Sequence, residues 1–219
     1  MSDENRIYNA LRTGLVTGEF EPNVKLKPNE LRGYYKCSAS TIRETLFRLS
    51  SEGLVDFQEQ RGFRVPLATP QLQHELTHLR IVLECEGASL SIRLGGLEWE
   101  ARLSAAHHKL SHIEGRVWSS EDRKPFLSLW TRAEQEFHET LISACDSRVL
   151  KAAHEILYHR FRQQLINTDK KYVFISENIE QHQGILDAAL ARDEGLIKQR
   201  IYDHLSRNFC KPMPAEVVP

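Results

Sequence analysis

Several features are missing from this sequence, and each absence narrows what the chain can be. It has no run of about 18 apolar residues, so no membrane-spanning helix is predicted. Its first residues are polar and acidic, without the apolar core of a signal peptide, and we expect a cytoplasmic protein. The four cysteines stand singly and form no C-x-x-C pair, which argues against a zinc ribbon or a redox motif.

The chain also lacks an excess of positive charge. Its formal net charge is −1, and residues 1–66 contain ten Lys/Arg against nine Asp/Glu. Charge therefore gives only weak support for nucleic-acid binding, and any such function has to be argued from the pattern of residues.

The first 66 residues predict a winged helix-turn-helix. Apolar residues recur at helical spacing in three segments, and short alternating runs surround Gly62. The predicted elements are a helix over 4–17, a short strand over 25–27, a helix over 29–35, a third helix from Ser38 or Ser40 to about Glu52, and a hairpin of 54–57 and 63–65. In such a fold the third helix reads the major groove of DNA.

A second, helical domain is predicted after the first. Residues 67–70 form a short linker between Pro66 and Pro70, and no strand signal follows. Helices are predicted over 71–95, 98–117, 123–145, 147–168, 173–192 and 194–209. We therefore expect a mainly α chain, with a winged head over 1–66, an all-α antiparallel bundle over 71–210 and a disordered tail over 211–219.

The third helix and the hairpin carry side chains suited to DNA. A recognition helix presents small polar and cationic groups at its N-terminal end, and a glycine at a wing tip permits positive φ close to the DNA. For any one of these residues, a helix cap or a solvated arginine is an equally good explanation, but the ordered set favours DNA contact. The predicted contact residues are Ser38, Ser40, Thr41, Arg43, Arg48, Arg61, Gly62 and Arg64.

The same segment resembles the GntR family of bacterial regulators. Residues 38–55 read SASTIRETLFRLSSEGLV, where the family reads approximately VSRTPVREALxRLxxEGLV. Residues 18–26 and 61–65 resemble its G-x-L-x-P-G-x-x-L turn and its wing, although Asn23 replaces a glycine and Arg32-Gly33 replaces Ala-Glu. Ala39 replaces an arginine that reads a guanine, and such a contact is worth about 1–3 kcal/mol of discrimination. The resemblance thus implies operator binding, with an altered sequence preference or a lower affinity.

Four polar side chains fall on apolar faces of three predicted bundle helices. Glu134 and His138 are four residues apart and share one face, while His182 and His204 lie among apolar neighbours. Together they are suited to a divalent metal ion. A single histidine on an apolar face is more often a core residue, as His107 illustrates, so the spacing alone leaves both explanations open.

The bundle resembles the FCD (FadR C-terminal domain) branch of the same family. The segments LRIVLE at 79–84, EQEFH at 134–138, EQHQGIL at 180–186 and YDHL at 202–205 resemble its motifs V-R-x-x-L-E, D-x-x-F-H, E-H-x-x-I-L and M-x-x-H-L. The resemblance implies a divalent ion, zinc or nickel, which orients a carboxylate effector. Its implied ligands are Glu134, in place of the usual aspartate, and His138, His182 and His204.

Arg80 is the arginine that this resemblance assigns to the effector. An ion pair with Glu84, four residues later, is the other role open to it, and one arginine can fill both.

These patterns predict a homodimeric regulator whose affinity for a palindromic operator changes when a small effector binds, and not an enzyme. The alternative is a metal-dependent hydrolase that uses the His/Glu cluster to activate water. That alternative lacks an H-E-x-x-H motif, a nucleophile elbow and a separate general base, and it leaves the head without a role. A di-metal carboxylate bundle would need paired E-x-x-H motifs that the sequence does not supply.

Overall fold

The computed structural model describes residues 3–122, 124–168 and 175–210. Three apolar clusters form: the core of the head, the large core of the helical domain, and a small cluster of Leu76, Leu157 and Phe161 in the same domain. None of the described helices is both long and apolar enough to span a bilayer.

The head contains three helices and a small antiparallel sheet, which confirms the predicted winged helix-turn-helix. Its elements are α1 (Asp3–Val16), β1 (Lys25–Leu26), α2 (Pro28–Tyr35), α3 (Ala39–Ser51), β2 (Asp56–Gln58) and β3 (Gly62–Arg64). The strand order is β1-β3-β2, and Phe57 pairs with Phe63 across the wing.

Local chemistry explains how α3 and the wing are placed. Ser38 is the N-cap of α3, since its hydroxyl accepts a hydrogen bond from the Thr41 amide at 3.0 Å. Ile42, Leu46 and Leu49 are fully buried on the inner face of this helix. Gly62 has a φ of 73° at the start of β3, a left-handed conformation that glycine adopts without strain.

The C-terminal domain is built from six α-helices within the described residues, as predicted. They are α4 (Pro70–Leu94), α5 (Leu97–Ser119), α6 (Leu127–Leu141), α7 (Arg148–Thr168), α8 (Ile175–Leu190) and α9 (Glu194–Ser206). α4 packs against α7 and α9, and α5 packs against α6 and α8. Trp99, Leu103, Phe137, Ile185 and Ile201 are among the side chains of the common core.

Three predicted helices are shorter than their sequence patterns indicate. The helix predicted over 194–209 is α9, which ends at Ser206, because the amides of Asn208 and Phe209 bond to carbonyls three residues back. The predicted helix over 123–145 is a 3-10 turn at Lys124–Phe126 followed by α6, which ends at Leu141. Tight turns follow α6, in which the amides of Ser143 and Cys145 bond to carbonyls three residues back, so the α-helical pattern does not continue to residue 145. α8 ends at Leu190 because Arg192 is left-handed, with a φ of 54°. Residues 173–174 and the predicted tail over 211–219 lie outside the described residues.

Candidate DNA surface and buried histidine site

The predicted reading residues lie at the N-terminal end of α3. Ser38, Ser40 and Arg43 are exposed there, and Thr41 is half-buried. The Ser38 and Thr41 hydroxyls lie 2.8 Å apart, and Ser40 donates to Glu44 at 3.3 Å. Capping of the helix and exposure to a DNA groove are therefore compatible at this end of α3.

Arg48 has a structural role besides its predicted contact with phosphate. Its guanidinium lies 3.7 Å from the centre of the Tyr8 ring and 3.6 Å from a Glu52 carboxylate oxygen. The Tyr8 hydroxyl donates to Glu52 at 2.6 Å, and burial together with this carboxylate raises the pKa of Tyr8 to about 12. Arg48 thus helps to join α3 to α1.

The wing forms a cationic groove with a volume of 550 Å³. Arg61, Gly62 and Arg64 line it, as does Lys25 from β1. Arg64 donates to the Asn23 carbonyl at 2.8 Å, which ties β3 to the preceding turn. Lys25 was not among the predicted contact residues, although the alternating Lys25-Leu26-Lys27 run places both lysines on the face opposite the buried Leu26.

Three of the four predicted metal ligands meet in the interior of the helical domain. His138 on α6, His182 on α8 and His204 on α9 place ligand nitrogens within 4.8 Å of one another. All three side chains are buried, and the ring centres of His182 and His204 are 4.5 Å apart. His107, the example of a core histidine, is also buried but lies outside this group.

Each of these histidines is oriented by a side-chain oxygen at Nδ1. Glu84 accepts from His138 at 2.8 Å, Glu114 from His182 at 3.1 Å and Gln181 from His204 at 3.0 Å. Because Nδ1 carries the proton, Nε2 carries the lone pair that a metal ion requires. The Nε2 atoms of His138 and His182 are buried with no hydrogen-bond partner within the described part of the chain.

Burial keeps two of these imidazoles neutral. Desolvation lowers the pKa of His138 against the opposing effect of Glu84. Desolvation and the neighbouring His182 hold the pKa of His204 well below its usual value. Neutral imidazole is the form that binds metal, so a divalent ion would not have to displace a proton from either ring. This donor set fits a divalent ion.

Glu84 is the centre of the polar network beside the histidines. Its Oε1 accepts from Arg80 Nε at 2.6 Å and from His154 Nε2 at 3.0 Å, while Oε2 binds His138. Burial opposes ionisation of Glu84, but Arg80 and His138 outweigh it and hold its pKa well below the usual value. The Arg80–Glu84 ion pair that the sequence allowed is therefore present. Both terminal nitrogens of Arg80 still lack a hydrogen-bond partner among the described residues.

Glu134, the fourth predicted ligand, is paired with other groups. Its carboxylate lies 3.3 Å from Arg162 Nη1, accepts from the Tyr158 hydroxyl at 3.3 Å and lies 3.8 Å from Arg80 Nη1. Burial opposes its ionisation, but Arg162 and Arg80 hold its pKa below the ordinary value, with smaller contributions from His138 and His182. It thus borders the histidine group without belonging to it.

Comparison with known proteins agrees with both parts of the structure. Residues 4–65 match the family model "Bacterial regulatory proteins, gntR family", and residues 75–207 match the FCD domain model. This chain belongs to the GntR family. It is a transcriptional regulator with a helix-turn-helix DNA-binding domain and an FCD effector-binding domain, and these assignments indicate a regulator and not an enzyme.

Relatives and a solved structure support the GntR assignment along nearly the whole chain. The HTH-type transcriptional regulator BphR of Paraburkholderia xenovorans (strain LB400) is 34% identical, covering 92% of this chain and 82% of that protein. The HTH-type transcriptional repressor GlaR of Escherichia coli (strain K12) is 29% identical and covers 90% of each. The structure of E. coli McbR/YncC has a TM-score of 0.78 at 19% identity over 95% of both chains, a likeness of fold.

Several residues of the FCD site were not found from the sequence. Glu114 on α5 and the α7 residues His154, Tyr158 and Arg162 contribute to the network. The three α7 residues are spaced four apart, which places them on one helix face. That spacing was visible, but the sequence does not tell whether a polar stripe faces solvent or a buried site.

Proposed function

We propose that this GntR regulator binds operator DNA with an affinity controlled by a small carboxylate-bearing effector, which binds in a metal-containing pocket of the FCD domain. The observation that carries the proposal is the group of three buried histidines, each oriented at Nδ1 by a side-chain oxygen, next to a buried arginine whose terminal nitrogens have no hydrogen-bond partner among the described residues.

His138, His182 and His204 are the proposed metal ligands, and the ion is zinc or nickel. Two Nε2 atoms buried without partners are costly unless another group binds them, and a divalent cation meets that need. Glu134 is proposed as the fourth ligand. It lies one helical turn before His138, and it would have to exchange its contact with Arg162 for the metal. The ion would supply positive charge that attracts an anionic ligand.

Arg80 is the proposed partner of the effector carboxylate. Its guanidinium is fully buried, and Glu84 holds it through Nε, which leaves the two terminal nitrogens for a planar anion. A carboxylate fits this pair of donors with two parallel hydrogen bonds. Tyr158 and Phe161 lie 4.9 and 4.6 Å from the guanidinium carbon and limit how it can turn.

A homodimer on a palindromic operator is the proposed assembly. α4 and α7 pack against each other, and both present exposed apolar side chains suited to a second copy. These are Leu79 and Val82 on α4 and Val149 and Ile156 on α7, each 42–81% exposed. Two heads related by a two-fold axis would read two half-sites. Because operator DNA is in the bacterial cytoplasm, we place the regulator there.

Calorimetric titration of chelator-treated protein with Zn²⁺ and Ni²⁺ tests the metal site. Wild type should bind one ion per chain, and His182→Asn should lose about 100-fold or more in affinity, because one ligand is removed. Glu134→Gln should weaken binding at least about tenfold. The matched control is His107→Asn, a buried histidine outside the group, which should bind as wild type does. Equal affinities in all four proteins would refute the site.

DNA selection tests regulation. A duplex enriched from a random library by the metal-loaded protein should contain a palindrome, and Arg43→Gln should bind it about tenfold more weakly, the loss expected for one base contact. A screen of small carboxylates should find compounds that change this affinity in wild type and not in Arg80→Met. No response to any carboxylate, with intact DNA binding, would contradict the proposed effector class.

A further inference from the structure

Helix α7 carries two different stripes of side chains. His154, Tyr158 and Arg162 are spaced four apart and face the buried site. Glu155 and Gln163, each one residue further along, contact the head instead. Neighbouring helical positions differ by about 100° around the axis, so the two stripes face different directions. Both stripes nevertheless belong to one helix, and they move together.

The first stripe connects α7 to the proposed metal ligands, since Tyr158 and Arg162 contact Glu134 directly and His154 reaches His138 through Glu84. Glu84 accepts from His138 with one oxygen and from His154 with the other, at 2.8 and 3.0 Å. Arg162 donates to the Thr131 hydroxyl at 3.3 Å and pairs with Glu134. A group that binds His138 therefore also acts on α7 through Glu84 and His154, whereas one that takes Glu134 replaces its contact with Arg162.

The second stripe reaches the end of the recognition helix. Gln163 is buried, and its side-chain amide donates to the Leu54 carbonyl at 2.9 Å. Leu54 follows α3 after Glu52 and Gly53, and its own amide donates to the Leu49 carbonyl at 3.0 Å. Gln163 thus holds the residue on which the C-terminal turn of α3 depends.

Further contacts join α7 to the head and to the linker. Arg12 on α1 pairs with Glu155 at 3.4 Å. A side chain at Gly53, where φ is 75°, would come within 2.9 Å of Arg160 Nε, so the backbone after α3 lies directly against α7. Gln164 accepts from the Thr69 amide and donates to the Leu67 carbonyl, at 3.1 and 3.3 Å. α7 therefore also holds the linker.

We infer that Gln163 is the positioning residue through which the state of the buried site reaches the recognition helix, with α7 as the connecting element. The inference rests on the proposed function. The coupling is assigned to the buried hydrogen bond from Gln163 to the Leu54 carbonyl. Gln163 directly follows the site residue Arg162 in the sequence. The proline-bounded linker is then a tether that α7 holds, and not the transmitter.

Hydrogen exchange with Zn²⁺ as the only added ligand tests this in the full-length protein. In wild type, saturating Zn²⁺ should slow exchange about tenfold in α6, α8 and α9 and also at the Leu49–Phe57 segment, because binding stabilises every opening unit coupled to the site. In Gln163→Leu the slowing should persist in α6, α8 and α9 and disappear in Leu49–Phe57. The matched control Gln199→Leu, exposed on α9, should behave as wild type does.

The outcomes separate this inference from the proposed function. Slowing confined to the FCD helices of wild type, or equal slowing of Leu49–Phe57 in wild type and Gln163→Leu, overturns the coupling and leaves the metal site standing. No slowing anywhere in wild type refutes the metal site itself. Calorimetric Zn²⁺ affinity equal to that of wild type establishes that Gln163→Leu is folded. If that variant does not fold, Arg12→Gln, which breaks the exposed pair with Glu155, should lower the slowing at Leu49–Phe57 by about half.

Discussion

The head and the FCD domain bury opposite kinds of side chain. The core of the head is apolar, and apart from two tyrosines Thr45 is its one buried polar residue among those described. The FCD domain buries Arg80, Glu84, Glu134 and Arg162, together with several histidines. The head keeps its predicted contact residues at or near the surface, whereas the FCD domain encloses its site.

The two proposed ligands would account for this difference. DNA is large and meets a surface, so the head can be stabilised by an ordinary apolar core while its reading residues stay hydrated. A small effector has to be surrounded, and enclosing charged groups costs several kcal/mol per ion unless each one is paired. The Arg80–Glu84–His138 network supplies that pairing.

The largest expected effect comes from breaking the buried network. Glu84→Leu leaves Arg80 buried without its main partner and should lower the free energy of unfolding by about 3–5 kcal/mol, measured by urea denaturation. The double variant Arg80→Met/Glu84→Leu should recover much of that loss. Glu86→Leu, exposed on the same helix, should change stability by less than about 0.5 kcal/mol. A loss for Glu84→Leu as small as that of Glu86→Leu would show that the network is not needed for folding.

Substitution in the apolar core of the head should lower stability nearly as much. Its effect on DNA binding should differ from its effect on Zn²⁺ binding. Leu46 is fully buried on α3, and Leu46→Ala should destabilise the head by about 2–5 kcal/mol through loss of burial and formation of a cavity. DNA binding in a gel-shift assay should fall, while Zn²⁺ affinity should fall by no more than about tenfold, the coupling expected through α7. Leu97→Ala, at an exposed position, is the control. A larger loss of Zn²⁺ affinity in Leu46→Ala would contradict the separate folding of the two cores.

Acid should destabilise the FCD domain through its buried histidines. Desolvation, then Arg12, lowers the pKa of His159 to about 3. Because the unfolded value is higher, about 6.5, the folded state binds fewer protons, and stability is complete above pH 6.5 and falls as the pH drops towards about 3. Between pH 7 and pH 5 this histidine alone should cost about 2 kcal/mol, a loss that His159→Gln removes.

Urea denaturation of His159→Gln at the two pH values measures this effect. The exposed His112→Gln is the control and should retain the full acid sensitivity of wild type. His138 and His204, whose pKa values are also lowered by burial, should leave a residual acid sensitivity in His159→Gln. A pH dependence identical in wild type and His159→Gln would contradict a neutral, buried His159.

The smallest expected effect on stability comes from two serines at the start of α3. Their substitution separates a role in capping the helix from a role in binding DNA. Ser38→Ala removes the N-cap and should cost about 1 kcal/mol of stability, whereas Ser40→Ala, whose hydroxyl contacts only Glu44 at 3.3 Å, should cost less than about 0.5 kcal/mol. Both changes should weaken binding to the selected duplex, as measured by fluorescence anisotropy. Equal losses of stability in both variants would refute the capping role of Ser38.

The local order of the fold was accessible from the sequence because it depends on short-range patterns. The repeated apolar positions of α3, the cap at Ser38 and the glycine that begins β3 are each encoded within a few residues. Helix ends were less accessible. α6 stops at Leu141 although apolar residues continue, because tight turns with hydrogen bonds to carbonyls three residues back follow it.

The sequence by itself determined the secondary-structure elements of both domains and the predicted contact residues of α3. It also identified His138, His182 and His204 as candidate metal ligands. Periodicity and motif spacing, on which these predictions rest, are properties of the chain. Only the tertiary structure decided that Glu84 orients His138, that Glu134 pairs with Arg162, and that Gln163 contacts the carbonyl after α3. These contacts join residues 28 to 109 positions apart. Their geometry depends on how helices pack, which no local pattern specifies.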